Sequence, residues 1–276
     1  MHEYDPSGIG RRTSASNHTL ATAPYFKSSA TLRLAPSAPS PVLRTLGRLL
    51  RRLTSTFSRF GAFNGCLYLF ARLAKGTTGG HISLRRYLFF AQAVPPQDPK
   101  AQKRRARFAP IRSALPDDPL VEQFPRCATV LETRWREGSH CLAADHEGQF
   151  LGYIWLHFGA YVEDEVRCRF VPTPGDKAAW DYDVYVIPER RLGLGFVCLW
   201  DAANEYLRER GYEWSVSRVS AFNTPSIRSH ERMGAKALGS AIFLTVFGMQ
   251  MMFSSKAPYL HVSFSSANMP SMNLPT

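Results

Sequence analysis

A strand-like run, Val184-Tyr185-Val186-Ile187, is followed by Pro188 and a loop with Gly193 and Gly195, and helical periodicity starts at Phe196. A loop of this make-up can turn several backbone N–H groups toward one anion, beside the positive end of a helix dipole. Glycine lets that backbone approach closely, and Arg190 and Arg191 add charge. The expected chemistry is a pyrophosphate cradle built from Arg190, Arg191, Leu192, Gly193, Leu194, Gly195 and Phe196; a plain strand-to-helix turn is the other use of such a loop. It is not a Walker loop, because no Gly-Lys-Ser/Thr follows, and Cys198 stands where a dinucleotide fingerprint needs its third glycine. Upstream, Asp181 and Asp183 alternate with Tyr182 and Val184, so both are expected on one face of a strand. There one of them can act as a base, its pKa raised by the other, or pair with Arg167, Arg169 or Arg218. Downstream, Asn223, Ser226 and His230 lie on a short segment; His230 can supply a proton near neutral pH or simply stack.

Arg190, Gly193 and Gly195 resemble the Arg/Gln-x-x-Gly-x-Gly/Ala loop, motif A, of the GNAT superfamily of acyl-CoA-dependent N-acetyltransferases. The run Asn223-Thr224-Pro225-Ser226-Ile227-Arg228-Ser229-His230-Glu231-Arg232-Met233-Gly234 is similar to motif B of that superfamily. The resemblance covers roughly residues 105–253. It implies an α/β (α+β) fold with a mixed sheet of six or seven strands, two of which splay to admit the pantetheine arm of acetyl-CoA. Backbone groups near Val186 would meet that arm, residues 191–196 the pyrophosphate, and Asn223, with Ser226 assisting, the pantetheine or phosphate end. His230 stands where most members carry Tyr as general acid, and Arg191-Leu192 replaces the usual Gly-Lys. The implied activity is transfer of an acetyl group from acetyl-CoA, as co-substrate and without a metal, to a small amine or amino sugar by direct attack in a ternary complex. The alternative is a GNAT-fold module that binds acyl-CoA or a partner without turnover.

These groups must be positioned by the surrounding elements. Phe196–Arg210 reads as a helix, because Phe196, Leu199, Trp200, Ala203 and Leu207 share a face and Gly211 stops it. Strands are expected at 87–94, 108–113, 141–145, 150–158, 165–171, 180–187, 214–222, 241–244 and 247–253. Pro119–Glu137 reads as one or two helices and Lys103-Arg104-Arg105 as part of a charged linker. Thr224 suits an N-cap with Pro225 after it. Glu163-Asp164-Glu165 reads as a solvated turn.

The chain has 276 residues and a net charge of +12, which is not evenly spread. Residues 1–100 hold 14 Lys/Arg against 3 Asp/Glu, and residues 101–276 hold 20 against 19. The excess therefore describes an extension, and a nucleic-acid partner is not expected for the domain. The expected organisation is a disordered tail at 1–42, a basic amphipathic helical extension at 43–100, the GNAT-like domain at 101–255 and a tail at 256–276. In 43–75 the apolar residues Leu43, Leu46, Leu50, Leu53, Phe57 and Phe60 recur at helical steps among arginines, with a break expected near Gly61 or Gly65. This stripe can dock on the following domain, lid the acceptor cleft, or make peripheral contact with an anionic membrane. Five cysteines without a Cys-x-x-Cys pair read as reduced thiols of a cytoplasmic protein, at most peripheral at the inner membrane surface.

Overall fold

A computed structural model describes residues 41–190 and 194–276. The chain divides into two units, 1–47 and 48–276, and the sheets and both cores lie in the second. The tail expected at 1–42 lies outside the described residues except for its last two positions, and so do Arg191, Leu192 and Gly193 of the glycine loop.

Helix α1 spans Pro41–Thr77 and breaks at Gly61, whose φ of 74° and ψ of 172° only glycine adopts readily. It docks on both sides of the break, through Phe60 just before it and Tyr68 after it, whose rings lie 6.0 and 5.5 Å from Phe222. Strand β1, Ile82–Ala93, corrects the expected boundary at residue 101. It is no part of a helical extension but an interior strand of the main sheet, antiparallel to a neighbour on each side. Its run Leu88-Phe89-Phe90-Ala91 suits a strand covered on both faces. The expected linker also proves to be structured. Helix α2, Ala101–Phe108, packs on the later helix α4, Gly195–Glu209, with the Arg104 guanidinium donating to Asp201 at 2.9 and 2.8 Å.

The rest follows the expected order with shifted ends and one added strand, β5: β2 (Ile111–Ala114), α3 (Ala128–Arg136), β3 (His140–His146), β4 (Gln149–Phe158), β5 (Tyr161–Val162), β6 (Arg169–Thr173), β7 (Ala178–Val186), then α4, β8 (Trp214–Ser220), α5 (Thr224–Arg232), β9 (Lys236–Val246) and β10 (Met249–Ser254). Residues expected as a C-terminal tail add β11 (Leu260–Ser263) and β12 (Ser271–Pro275). The main sheet is mixed, as expected, but has nine strands rather than six or seven, in the order β11-β10-β9-β1-β8-β7-β4-β3-β2. Among these neighbours only β7 and β8 run parallel. A second sheet, β12-β6-β5, takes Met272 and Leu274 of the expected tail into the core, because these period-two apolar residues face inward.

Each face of the main sheet has its own core. One is aromatic, with Phe89, Tyr153, Trp155, Phe170 and Trp180 buried together. The other is aliphatic and packs Ile154, Leu156 and Ala179 against Leu199, Ala203 and Leu207 of α4. Strand β7 contributes to both and brings the site residues between them.

Candidate active site

The parallel pair β7–β8 is registered from Ala178↔Trp214 to Asp181↔Ser217 and no further. Beyond that point β7 continues beside β4, as Tyr153↔Tyr185 and Gly152↔Val186. Strand β8 stays with β1, ending at Tyr87↔Ser220. The two strands part, and a cleft of about 780 Å³ fills the fork. Its walls include Asp181, Val186, Phe196, Asn223, Ser226 and His230, so residues from β7, α4 and α5 named on sequence grounds meet in one place.

Asp181 sits at the fork. It is 2% exposed and accepts a hydrogen bond from the Ser215 hydroxyl at 2.6 Å. Burial pushes its carboxyl up to about 7, against the downward pull of hydrogen bonds from Ser215 and Ser217. This places its proton exchange near neutral pH.

Asp183 does not share its face, which corrects the expectation from simple alternation. Between the pairs Tyr153↔Tyr185 and Trp155↔Tyr182, β7 carries one residue more than β4, a bulge in which Asp183 has a φ of 47°. The bulge turns Asp183 toward the aromatic core. There Arg134 donates at 2.6 Å, Tyr153 Oη at 3.0 Å and Arg126 Nε at 2.9 Å. None of Arg167, Arg169 and Arg218 pairs with either aspartate among the described residues. Two guanidiniums and a phenol hold Asp183 in place, although it still borders the cleft. Arg134→Met should cost about 3 kcal/mol, the lower figure for breaking a buried pair because Arg126 remains; urea unfolding measures it.

Helix α5 starts one residue earlier than Thr224 would set it. Its N-cap is Asn223, whose Oδ1 accepts from the Ser226 N–H at 3.3 Å, and Pro225 lies in the first turn. Four residues after Ser226, His230 is 4% exposed. It is stacked on Phe90 at 5.5 Å, with Trp200 edge-on at 5.8 Å. Its Nδ1 lies 2.8 Å from the Ser226 carbonyl. A carbonyl only accepts, so Nδ1 carries the ring proton and neutral His230 presents Nε2 as an acceptor. That Nε2 is buried without a hydrogen-bond partner among the described residues. Burial also lowers the His230 pKa, with the Ser226 bond acting the other way. A general acid at Nε2 would need the imidazolium that burial disfavours.

Arg190 ends a 3₁₀ turn, Pro188–Arg190, and its N–H is committed to the Ile187 carbonyl at 3.0 Å. Leu194 is the N-cap of α4, and the first intrahelical bond is Cys198 N–H to Leu194 O at 2.8 Å. The N–H groups of Gly195, Phe196 and Val197 precede it, as in any helix first turn, and two of these residues line the cleft. Gly195 is needed for packing. A Cβ there would come within 3.0 Å of both Phe108 Cζ and Val186 Cγ1. Gly195→Val should therefore cost about 1–3 kcal/mol by overpacking, read as a fall in the urea midpoint.

Several residues around the cleft carried no signal in the linear sequence. Glu163 corrects the expected solvated turn. Its side chain is fully buried and receives Arg218 Nε and Nη2 at 2.9 and 2.6 Å. Burial raises its carboxyl to about 7 despite that guanidinium. Arg218, which also lines the cleft, lies over the Tyr87 ring at 4.4 Å. These partners come together across 55 or more sequence positions, so only the folded chain shows them.

Residues 109–235 match the Acetyltransferase (GNAT) family. This segment belongs to the GNAT family. The strands that fork, the α4 N-terminus and α5 with His230 all fall inside it. Similar solved structures include a functionally unknown conserved protein from Staphylococcus epidermidis, at 13% identity and TM-score 0.39, covering 62% of this chain and 65% of that one. A putative GNAT acetyltransferase from Novosphingobium aromaticivorans is 18% identical with TM-score 0.40, covering 58% of this chain and 62% of its own. A tandem GNAT protein from the clavulanic acid biosynthesis pathway is 18% identical with TM-score 0.37, covering 59% and 54%. The chain thus spans less than two thirds of the length of each. No curated protein matches. β1, which completes the main sheet beside β8, lies outside the matched segment.

Proposed function

We propose that the protein is an acyl-CoA-dependent N-acyltransferase, transferring an acetyl group from acetyl-CoA to a small amine or amino sugar. The observation that carries this is the fork between β7 and β8, with a carboxyl at its apex whose pKa lies near 7. Transfer requires a neutral amine, and Asp181, ionised above that pH, takes the ammonium proton, directly or through a water. The amine nitrogen then attacks the thioester carbonyl in a ternary complex and the thiolate leaves. A backbone N–H of the bulged strand stabilises the oxyanion. Val186, Phe196, Asn223 and Ser226 line the channel for the acyl-CoA arm, and the loop from Arg190 to Gly195 with the α4 N-terminus takes the phosphates. Asp183 positions the bulge rather than taking a proton. His230 accepts a hydrogen bond in the cleft through Nε2, and the leaving thiolate is protonated by water.

The second reading, a module that binds acyl-CoA without turnover, is favoured by that same His230, which offers no proton at neutral pH. Isothermal titration with acetyl-CoA, followed by a thiol-release assay over a panel of amines and amino sugars, separates the two. Binding with release on at least one acceptor is the expected result. Binding with no release on any of them supports the module, and absence of binding removes both.

A further inference from the structure

The docking of α1 leaves a second apolar stripe uncovered. Beyond Gly61 the helix is held by Tyr68, against Phe222 in the turn after β8, and by Asn64, which pairs with Arg86 of β1. The side chains of Phe63, Cys66, Phe70 and Leu73, at steps of three and four, form a separate face. All four are exposed, Phe63 by 60% and Leu73 by 66%. The uncovered surface does not end at the helix. Arg86 under Phe63 is in register with Ile242, Ile242 with Phe253, and Phe253 with Leu260. Registered partners point to the same side of a sheet. Phe253 and Leu260 therefore lie on the same side of the sheet as α1, and both are exposed, Leu260 by 61%. The next row, Leu84, Leu244, Met251 and Val262, repeats the pattern.

The charge on α1 has one sign. From Arg48 to Thr77 the helix carries Arg51, Arg52, Arg59, Arg72 and Lys75 in addition to Arg48, and no Asp or Glu. A second copy placed on the same face would set these cations against each other. An anionic lipid surface complements both halves: apolar side chains enter the acyl boundary while arginines meet headgroups. We propose that the outer stripe of α1 together with the β10–β11 rim forms one docking surface for an anionic bilayer. This differs from a helix acting alone through the stripe ending in Phe60, because Phe60 is spent on Phe222.

The test is co-sedimentation of the full-length chain with phosphatidylcholine vesicles, with and without phosphatidylglycerol. Binding is expected only with the anionic lipid and should weaken as salt rises. Arg51→Glu/Arg52→Glu should lower the partition coefficient at least about tenfold, since each cation near the surface contributes about 1 kcal/mol. Leu260→Ser, at a position far from Arg51 and Arg52 in the chain, should lower it several-fold without moving the thermal transition. Equal binding to neutral vesicles, or indifference to either variant, overturns the proposal. So does a concentration-dependent dimer in analytical ultracentrifugation that Leu260→Ser abolishes, which would assign the face to a second copy.

Discussion

Asp181→Asn should lower kcat on the preferred amine by about 10²–10⁴-fold, the usual contribution of a positioned general base, while acetyl-CoA affinity stays within a few-fold. The wild-type rate should rise with pH through about 7 and then level, because the buried carboxyl must lose its proton to work. The variant's residual rate should lack that limb. Stability supplies an independent readout. A carboxyl whose folded pKa lies above its unfolded value favours the fold below about pH 4, and this contribution is lost as pH rises toward about 7. At pH 8 the wild-type chain therefore buries an anion that Asn does not, and the variant should unfold at equal or higher urea. A variant with full activity, or one equally active but shifted in its pH limb, would remove Asp181 from the mechanism. A variant with lower stability at pH 8 would contradict the assigned burial effect.

A chain beginning at residue 101 should not fold. It lacks β1, which lies between β8 and β9 and supplies both with their ladder partners. Without β1 the cleft wall formed by β8 has no support on its outer side, and two interior strands become bare edges. The milder form of this experiment is Phe89→Ala. Phe89 is fully buried with its ring 5.1 Å from Phe170, so truncation should cost about 3–5 kcal/mol. That is a large share of a typical domain's 5–15 kcal/mol. A fragment 101–276 that unfolds cooperatively and binds acetyl-CoA would show that β1 is dispensable.

The two predictions rest on features of different legibility. The strand–loop–helix unit ending in α4 and the Asn-Thr-Pro start of α5 were readable, because capping, glycine placement and helical period act over a few residues. The mixed sheet was readable in kind through the resemblance but not in extent. β1 was visible as an apolar run before Pro95 and Pro96, yet nothing near it in sequence says that it inserts beside Trp214–Ser220. The period-two pair Met272 and Leu274 could have flagged β12. Its neighbouring prolines and short length hid it.

Asp181 and Asp183 show the boundary most clearly. Alternation puts them on one face, and one extra residue opposite Ile154 puts them on two. One becomes a lone buried carboxyl beside serines, and the other is clamped by Arg126, Arg134 and Tyr153, which lie 57, 49 and 30 positions away.

By itself, the sequence determined the order of elements, the glycine-bearing helix start and the residue types gathered around it, since each depends on neighbours a turn or a strand pleat away. The tertiary structure alone decided where β7 and β8 part, which aspartate is desolvated, that His230 holds its proton on Nδ1, and that a strand from the basic N-terminal third completes the sheet. Pairing register, burial and local dielectric are set by residues that meet only after the chain has folded, and those quantities govern whether a carboxyl is desolvated or clamped by cations.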